Sequence, residues 1–206
     1  FPSDLTVQGD PALVIQALHL AMARHPGRAP EKVEARRIRL GKAHNRLEKT
    51  WEENAQKTSR ERPVDAQWLS YNIGRVLGED TVVVNEFDFS MMPYTGQLPG
   101  SYFGTPHGGF LGWGMGAALG VKLARPDDVV IATLGDGSYI FSVPSACHMV
   151  SRIHGLPILT VVYNNGRWNA VKRATLSLHP EGWAARANRF PICDLDQAAE
   201  YEKICE

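Results

Sequence analysis

The sequence predicts an α/β protein built on a parallel sheet with helices on both faces. Three apolar, β-branched runs of strand length lead to this prediction: TVVV at 81–84, VVIATL at 129–134 and ILTVVY at 158–163. None of them alternates with polar residues, which is typical of strands buried on both faces. Helix-like segments lie between them, at about 111–124 and 143–154. Because parallel neighbours need a long crossover, the β-α-β-α-β order indicates a parallel sheet.

Two segments precede the predicted sheet. Asp10 and Pro11 suit the N-cap and first position of a helix, and ALVIQALHLAMARH has apolar residues at helical spacing up to about Pro26. Residues 31–61 are rich in charge with few apolar positions, as in an exposed helical connector. At Pro63 the composition changes to β-branched runs and clustered glycines, so we place the start of a domain there.

The composition argues against several classes of function. The 206 residues carry 22 Lys and Arg against 22 Asp and Glu, whereas a nucleic-acid-binding protein normally has a strongly basic face. We therefore expect no nucleic-acid partner. No apolar run is long enough to span a bilayer and the first residues do not resemble a signal peptide, so we expect no membrane association and a cytoplasmic location. Cys147, Cys193 and Cys205 lack CxxC spacing, so we expect neither a disulfide framework nor a zinc site.

Each predicted strand leads into a polar or glycine-rich segment: NEFDF, GDGS and NNGRWN in turn. The carboxyl ends of parallel strands share one edge of the sheet, where open α/β sheets bind ligands. Asp136 offers a carboxylate oxygen there and Asn164 or Asn165 an amide oxygen, a donor set that suits Mg²⁺ completed by phosphate oxygens and water. The backbone N–H groups of Gly137 and Ser138 can face phosphate oxygens. GDG or NNG alone is typical of an ordinary turn, but the two at successive strand ends favour a metal and diphosphate site.

The stretch from GDGS to NN resembles the thiamine-diphosphate motif, with residues 138–163 between GDG and NN. The wider pattern HGGFLGWGMGAALG…GDGS…NNGRWNAVKR resembles the diphosphate-binding domain of the acetolactate synthase and benzoylformate decarboxylase group, from about residue 63 to the end. The resemblance implies the thiamine-diphosphate-binding fold for 63–206, truncated at its C-terminus. It also implies that 1–30 is the tail of a central domain and 31–62 a charged helical connector.

The same resemblance implies a set of site residues. It assigns the metal to the Asp136 carboxylate, the Asn165 side chain and the Arg167 carbonyl, with Asn164 as the alternative amide. It places Leu111 beneath the cofactor, as the bulky side chain that holds the two cofactor rings in a bent conformation. The other residues implied to contact the cofactor are Glu86, Asp88, Phe89, Gly109, Phe110, Gly135, Gly137, Ser138, Gly166, Trp168 and Asn169.

For function, the resemblance implies a thiamine-diphosphate- and Mg²⁺-dependent lyase or transferase acting on 2-oxo acids, as decarboxylase or carboligase. An activating glutamate is implied in a pyrimidine-binding domain of the same or a neighbouring chain, so this chain alone is expected to be catalytically incomplete. His107 is the candidate catalytic residue within this sequence. A homodimer or homotetramer is implied as well. The alternative is a non-catalytic α/β module that binds a nucleotide or another phosphorylated ligand.

GWGMGA at 112–117 also fits the G-x-G-x-x-G/A fingerprint of dinucleotide-binding proteins. The residues before it do not form a strand pattern, and no acidic residue follows at the expected place. Gly112, Gly116 and Gly120 recur at helical spacing, which we interpret instead as room for close helix packing.

Overall fold

The structure, a computed structural model, describes residues 2–24, 29–86, 98–104, 108, 110–195 and 199–205. The chain divides into two compact units, Phe1–Thr50 and Trp51–Glu206. The first contains helix α1 (Pro11–Arg24) and the greater part of helix α2 (Pro30–Lys57), and none of its described residues is buried. Asp10 caps α1 by accepting the Leu13 N–H, as the sequence predicts. No helix in the described ranges has the length and apolar character needed to cross a membrane.

The second unit contains a parallel sheet and its helices. The strands are β1 (Thr81–Asn85), β2 (Tyr102–Gly104), β3 (Val129–Gly135) and β4 (Leu159–Tyr163). The helices are α3 (Ala66–Val76), α4 (Trp113–Ala124), α5 (Asp136–Phe141), α6 (Pro144–His154), α7 (Asn169–Leu178), α8 (Trp183–Ala187) and a 3-10 helix at Tyr201–Cys205. The strands lie in the order β2-β1-β3-β4 and every pair is parallel, which confirms the predicted fold class.

Helices cover both faces of the sheet. On one face α4 packs its buried Met115 and Ala118 against alternate strand side chains, which are Val82, Val84, Val130, Ala132 and Leu134. On the other face, α3 meets β4 through a buried contact of 3.2 Å between the Ser70 hydroxyl and the Tyr163 phenol. Side chains alternate between faces along a strand, so runs without polar alternation are needed where both faces are covered.

The strand predictions were incomplete in two respects. The run 158–163 was predicted to be buried on both faces, but β4 is at the edge of the described sheet and Leu159 is 56% exposed. Strand β2 was not predicted, because three exposed residues in a glycine-rich segment carry no strand pattern. The side chain of Asn85 holds β2 in place, since it donates to the Tyr102 hydroxyl at 2.9 Å and accepts from the Thr133 hydroxyl at 2.8 Å.

The interpretation of the α4 glycines as helix-packing positions was wrong for two of the three. A Cβ at Gly116 or Gly120 would meet no described atom within 4 Å, so these residues face open space. Gly112 is tightly packed against the end of α5, since its Cβ would lie 2.7 Å from the carbonyl carbon of Phe141. The residues before the dinucleotide fingerprint were predicted to form no strand, but they include β2, so that prediction was wrong. Residues 111–112 form a turn and β2 ends at Gly104, whereas the fingerprint requires its glycines to follow a strand immediately.

Candidate metal and diphosphate site

The carboxyl ends of β3 and β4 place Asp136 and Asn164 side by side. Gly135, the last residue of β3, pairs in register with Tyr163, the last residue of β4. The next residue of each strand therefore emerges at the same edge of the sheet. Glu86, which follows β1, lies at this edge as well, because its N–H donates to the carbonyl of Thr133 on β3.

Asp136 and Asn165 meet at one backbone N–H group. Asp136 begins α5 and is only 2% exposed, and its Oδ1 accepts the Gly137 N–H at 2.9 Å. Its Oδ2 accepts the Arg167 N–H at 3.2 Å, and Asn165 Oδ1 accepts that same N–H at 3.1 Å. The Asp136 and Asn165 oxygens thus both lie within 3.2 Å of the Arg167 nitrogen. A carboxylate oxygen and an amide oxygen converge on one point, with further lone pairs still available on each.

The Asn164 side chain is engaged in a local turn. Its Oδ1 accepts the N–H of Gly166 at 3.0 Å, which closes a local turn. Gly166 has a φ of 66°, a left-handed conformation that favours glycine. Of the two asparagines that the sequence left open, Asn165 is therefore the one beside Asp136. The Arg167 carbonyl accepts the Asn169 N–H at 2.9 Å, which leaves it one further lone pair.

A second segment holds residues 166–168 in place. The Gly166 carbonyl accepts the Leu195 N–H at 2.7 Å, and the Trp168 N–H donates to the Cys193 carbonyl at 2.8 Å. Arg167 and Asp194 form an isolated antiparallel bridge between these contacts. Residues 193–195 were not predicted to take part in the site, because so short a pairing has no periodic sequence signal.

Gly137 lies directly against the indole of Trp168. A Cβ at position 137 would overlap the indole Cδ1 and Nε1 atoms, so only glycine allows this contact. The indole N–H is buried, and no described atom accepts a hydrogen bond from it. The predicted diphosphate residues Gly137 and Trp168 are therefore neighbours, and a buried donor stands unused beside them.

Glu86 makes its contacts with protein groups. Its Oε1 accepts the Gly112 N–H at 2.5 Å, its Oε2 accepts the Gly114 N–H at 2.6 Å, and the Ser138 hydroxyl also bonds to it. Burial raises the pKa of the Glu86 carboxyl, and the hydrogen bonds from Gly112, Gly114, Ser138 and the Trp113 backbone oppose that rise. The Glu86 carboxylate is thus used by the first turn of α4, and the expected contact of Glu86 with the cofactor stays a prediction.

The remaining predicted residues divide into three groups. Phe110 and Leu111 leave large apolar side chains exposed, at 74% and 41%. Gly135 and Ser138 are buried next to Asp136, while Asn169 begins α7 and is exposed. Asp88, Phe89, Gly109 and the catalytic candidate His107 lie outside the described residues.

The residues present fit a divalent cation that carries a diphosphate. Carboxylate, amide and carbonyl oxygens are the ligands that Mg²⁺ prefers in proteins, with phosphate oxygens and water completing the shell. The Ser138 N–H, in the first turn of α5, has no intrahelical acceptor, and the Trp168 indole N–H is a second donor for an anion. No group of three His, Cys, Asp or Glu side chains that could hold a metal occurs among the described residues, so this site relies on a single carboxylate.

A parallel sheet with this oxygen pair at its carboxyl edge is an open α/β domain of the kind that binds ligands beyond the carboxyl ends of its strands. Comparison with known families makes the class specific. The family described as "Thiamine pyrophosphate enzyme, C-terminal TPP binding domain" matches residues 87–202. The chain belongs to this family.

Curated relatives agree with this membership. A probable acetolactate synthase from Mycobacterium bovis is 33% identical over 121 residues, which cover 56% of this chain and 21% of that protein. A benzoylformate decarboxylase from Pseudomonas aeruginosa is 35% identical over 74 residues, 36% of this chain and 13% of that protein. The chain thus spans about a fifth or less of the length of these relatives.

Solved structures show the same fold. The thiamine diphosphate-dependent 4-hydroxybenzoylformate decarboxylase of Rhodococcus jostii RHA1 superposes with a TM-score of 0.56 at 25% identity, over 69% of this chain and 26% of that one. The benzoylformate decarboxylase of Polynucleobacter necessarius superposes with a TM-score of 0.54 at 20% identity, over 70% of this chain and 27% of that one.

Proposed function

We propose that this chain is the cofactor-binding part of a thiamine-diphosphate- and Mg²⁺-dependent enzyme that acts on 2-oxo acids, as decarboxylase or carboligase. The observation that carries the metal assignment is the convergence of Asp136 and Asn165 on the Arg167 N–H. Family membership supports the cofactor, and acetolactate synthase and benzoylformate decarboxylase relatives support the substrate class and the choice of reactions.

In this proposal each residue has a defined task. The Asp136 carboxylate, the Asn165 amide oxygen and the Arg167 carbonyl bind the cation, and the Ser138 N–H and the Trp168 indole N–H bind diphosphate oxygens. Gly137 leaves room for the Trp168 indole, so that the indole N–H can reach the diphosphate. When bound, thiamine diphosphate supplies the reactive carbon and the electron sink for breaking the bond beside the carbonyl of a 2-oxo acid.

The larger assembly belongs to the same proposal. A pyrimidine-binding domain, from the same or a neighbouring chain, contributes the activating glutamate and the rest of the pocket. A homodimer or homotetramer in the cytoplasm follows from the resemblance to the acetolactate synthase group. The exposed apolar side chains of Phe110 and Leu111 support a pocket that is completed by other parts of the protein.

A thermal-stability titration tests the metal and cofactor assignment. The chain is titrated with thiamine diphosphate with and without Mg²⁺, and in parallel with NAD and ATP, while its unfolding temperature is measured. We expect a Mg²⁺-dependent rise with thiamine diphosphate only, because ligand bound to the folded state raises stability. Stabilisation by NAD or ATP but not by thiamine diphosphate would instead favour the non-catalytic module.

Asp136→Ala identifies the metal ligand in the same assay, with Asp127→Ala as the matched control. Asp127 is an exposed residue before the opposite end of β3. We expect Asp136→Ala to remove the Mg²⁺-dependent rise while the unliganded chain still unfolds cooperatively, and Asp127→Ala to leave the rise unchanged. An unchanged rise in Asp136→Ala would exclude its role as ligand.

A further inference from the structure

The Glu86 carboxylate joins three parts of the chain that are far apart in sequence. It follows β1, it accepts backbone N–H groups from the first turn of α4 at Gly112, Trp113 and Gly114, and it binds the Ser138 hydroxyl in α5. Both carboxylate oxygens are used, at 2.5 Å and 2.6 Å from the Gly112 and Gly114 nitrogens. Charge-assisted hydrogen bonds of this kind are stronger and more directional than neutral ones.

The backbone around α4 is shaped to receive this carboxylate. A Cβ at Gly114 would lie 2.8 Å from Glu86 Oε2 and 2.7 Å from Leu134 Cδ2, so glycine alone leaves room for both groups. Gly112 has a φ of 90°, and its Cβ would lie 2.7 Å from the Ser142 nitrogen. The turn before α4 is therefore bound by Glu86 and is also packed against the end of α5.

This arrangement fixes the backbone next to Leu111. The Gly112 N–H belongs to the peptide group that joins Leu111 to Gly112, so the hydrogen bond to Glu86 sets the orientation of that group. Rotation about the Leu111 ψ angle would break the bond. Leu111 is nevertheless 41% exposed. An apolar residue thus stays partly exposed next to a peptide group that a hydrogen bond holds in place.

We propose that Glu86 is a positioning residue, whose carboxylate orients the Leu111 side chain and couples the turn before α4 to the GDGS segment through Ser138. The inference rests on the proposed function only for what Leu111 contacts, since it assigns Glu86 a role in shaping the surface against which the cofactor rings lie. Glu86 itself acts through the Gly112 and Gly114 amides rather than by touching the cofactor.

Amide hydrogen exchange in the unliganded 206-residue chain directly tests the hydrogen bonds from Gly112 and Gly114 to Glu86. In Glu86→Gln the side-chain NH₂ cannot accept a hydrogen bond, so one of the two amides loses its partner. We expect the Gly112 or Gly114 amide to exchange about tenfold faster or more, as for loss of a hydrogen bond to a charged group, and the Leu111 methyl NMR signals to shift. The matched control is Glu79→Gln, an exposed glutamate before the other end of β1.

The pattern of exchange separates positioning from general stabilisation. Positioning predicts fast exchange confined to the turn before α4, with the Val83 and Val84 amides of β1 as protected as in the wild-type chain. Amide exchange that is accelerated equally across β1 would overturn the proposal. Unchanged exchange at Gly112 and Gly114, together with unchanged Leu111 signals, would also overturn it.

A binding experiment tests whether these hydrogen bonds of Glu86 affect the cofactor. Mg²⁺-pyrophosphate reports on the metal and diphosphate site, whereas thiamine diphosphate also reports on the surface beneath the rings. We expect Glu86→Gln to reduce the ratio of thiamine diphosphate affinity to pyrophosphate affinity several-fold, measured by calorimetry with Mg²⁺. If the wild-type chain binds thiamine diphosphate and the ratio is unchanged in Glu86→Gln, the positioning role is wrong and the proposed function stands. If the wild-type chain binds pyrophosphate alone, the proposed function fails, and the exchange result still decides whether Glu86 orients Leu111.

Discussion

At some positions of this chain a close contact requires glycine, and at others neither a contact nor the backbone conformation does. Gly137 lies against the Trp168 indole and Gly114 against Leu134, whereas Gly116 faces open space in the middle of α4. The sequence shows all three simply as glycines in a rich pattern. Only the structure separates them, because the atoms that a Cβ would meet belong to residues distant in sequence.

A pair of glycine substitutions tests this distinction. Gly137→Ala is expected to destabilise the chain by about 1–3 kcal/mol, because the indole must move, and to change the Trp168 fluorescence. Gly116→Ala is expected to stabilise it by about 0.5–1 kcal/mol, as at an exposed helix position. Urea unfolding measures both, and equal effects from the two substitutions would contradict the assigned contacts.

Val143 occupies a conformation that β-branched residues rarely adopt. It precedes α6 with a φ of 55° and a ψ of 64°, and its side chain is largely exposed. Asparagine tolerates the left-handed region better, so Val143→Asn is expected to stabilise the chain by about 0.5–1 kcal/mol. Val150→Asn, the same change inside α6, is expected to be neutral or destabilising. Loss of stability in Val143→Asn, measured by chemical unfolding, would show that no strain is relieved there.

The sequence predicts which types of side chain form the site, but not which groups each side chain contacts. The donor chemistry of Asp136 and the NN pair follows from strand-end position, and the structure places Asp136 and Asn165 together. The choice between Asn164 and Asn165 depends on a turn geometry that the sequence does not specify. The hydrogen bonds from the α4 amides to Glu86 join groups about 26 residues apart in the sequence. The sequence of the preceding strand β1 does not predict them.

Among the elements, the strands with long apolar runs were predictable and the short ones were not. β1 and β3 are buried along most of their lengths, so continuous apolar runs mark them. β4 has the same sequence pattern but lies at the edge of the described sheet, where its position decides its exposure. β2 and the bridge between Arg167 and Asp194 are specified by tertiary contacts alone.

The contact between α3 and β4 predicts a pH dependence. Burial raises the pKa of the Tyr163 phenol from its usual 10 to about 12, while the Ser70 hydroxyl opposes that shift. The folded state therefore keeps this proton at pH values where the unfolded state loses it. Its contribution is complete below pH 10 and is lost as the pH rises toward about 12.

Tyr163→Phe should therefore flatten the alkaline decline in the free energy of unfolding. The decline removed is at most about 2–3 kcal/mol over this range. Tyr71→Phe is the control, because the Tyr71 phenol donates to Glu52 near the surface instead of lying between α3 and β4. Urea unfolding between pH 8 and about 11 measures the first half of this decline, about 1–1.5 kcal/mol, and a decline of equal steepness in Tyr163→Phe and wild type would contradict it.

At the scale of the whole molecule, the chain combines a recognisable fold with a small share of the length of its relatives. The family domain matches residues 87–202, and the Mycobacterium bovis relative is covered over 21% of its length. In the proposed function, the exposed apolar residues Phe110 and Leu111 belong to a site that other parts of the protein complete. We therefore expect weaker cofactor binding by this chain than by a protein that also supplies the pyrimidine-binding domain.

The central claim is that Asp136 and Asn165 bind one divalent ion together with the diphosphate of the cofactor. Mn²⁺ replaces Mg²⁺ in such oxygen sites and broadens the NMR signals of nearby nuclei. With thiamine diphosphate and Mn²⁺ together, we expect the Gly137 and Arg167 amide signals to broaden first, and this effect to disappear in Asp136→Ala. Broadening centred elsewhere in the chain, or identical broadening in Asp136→Ala, would contradict the claim.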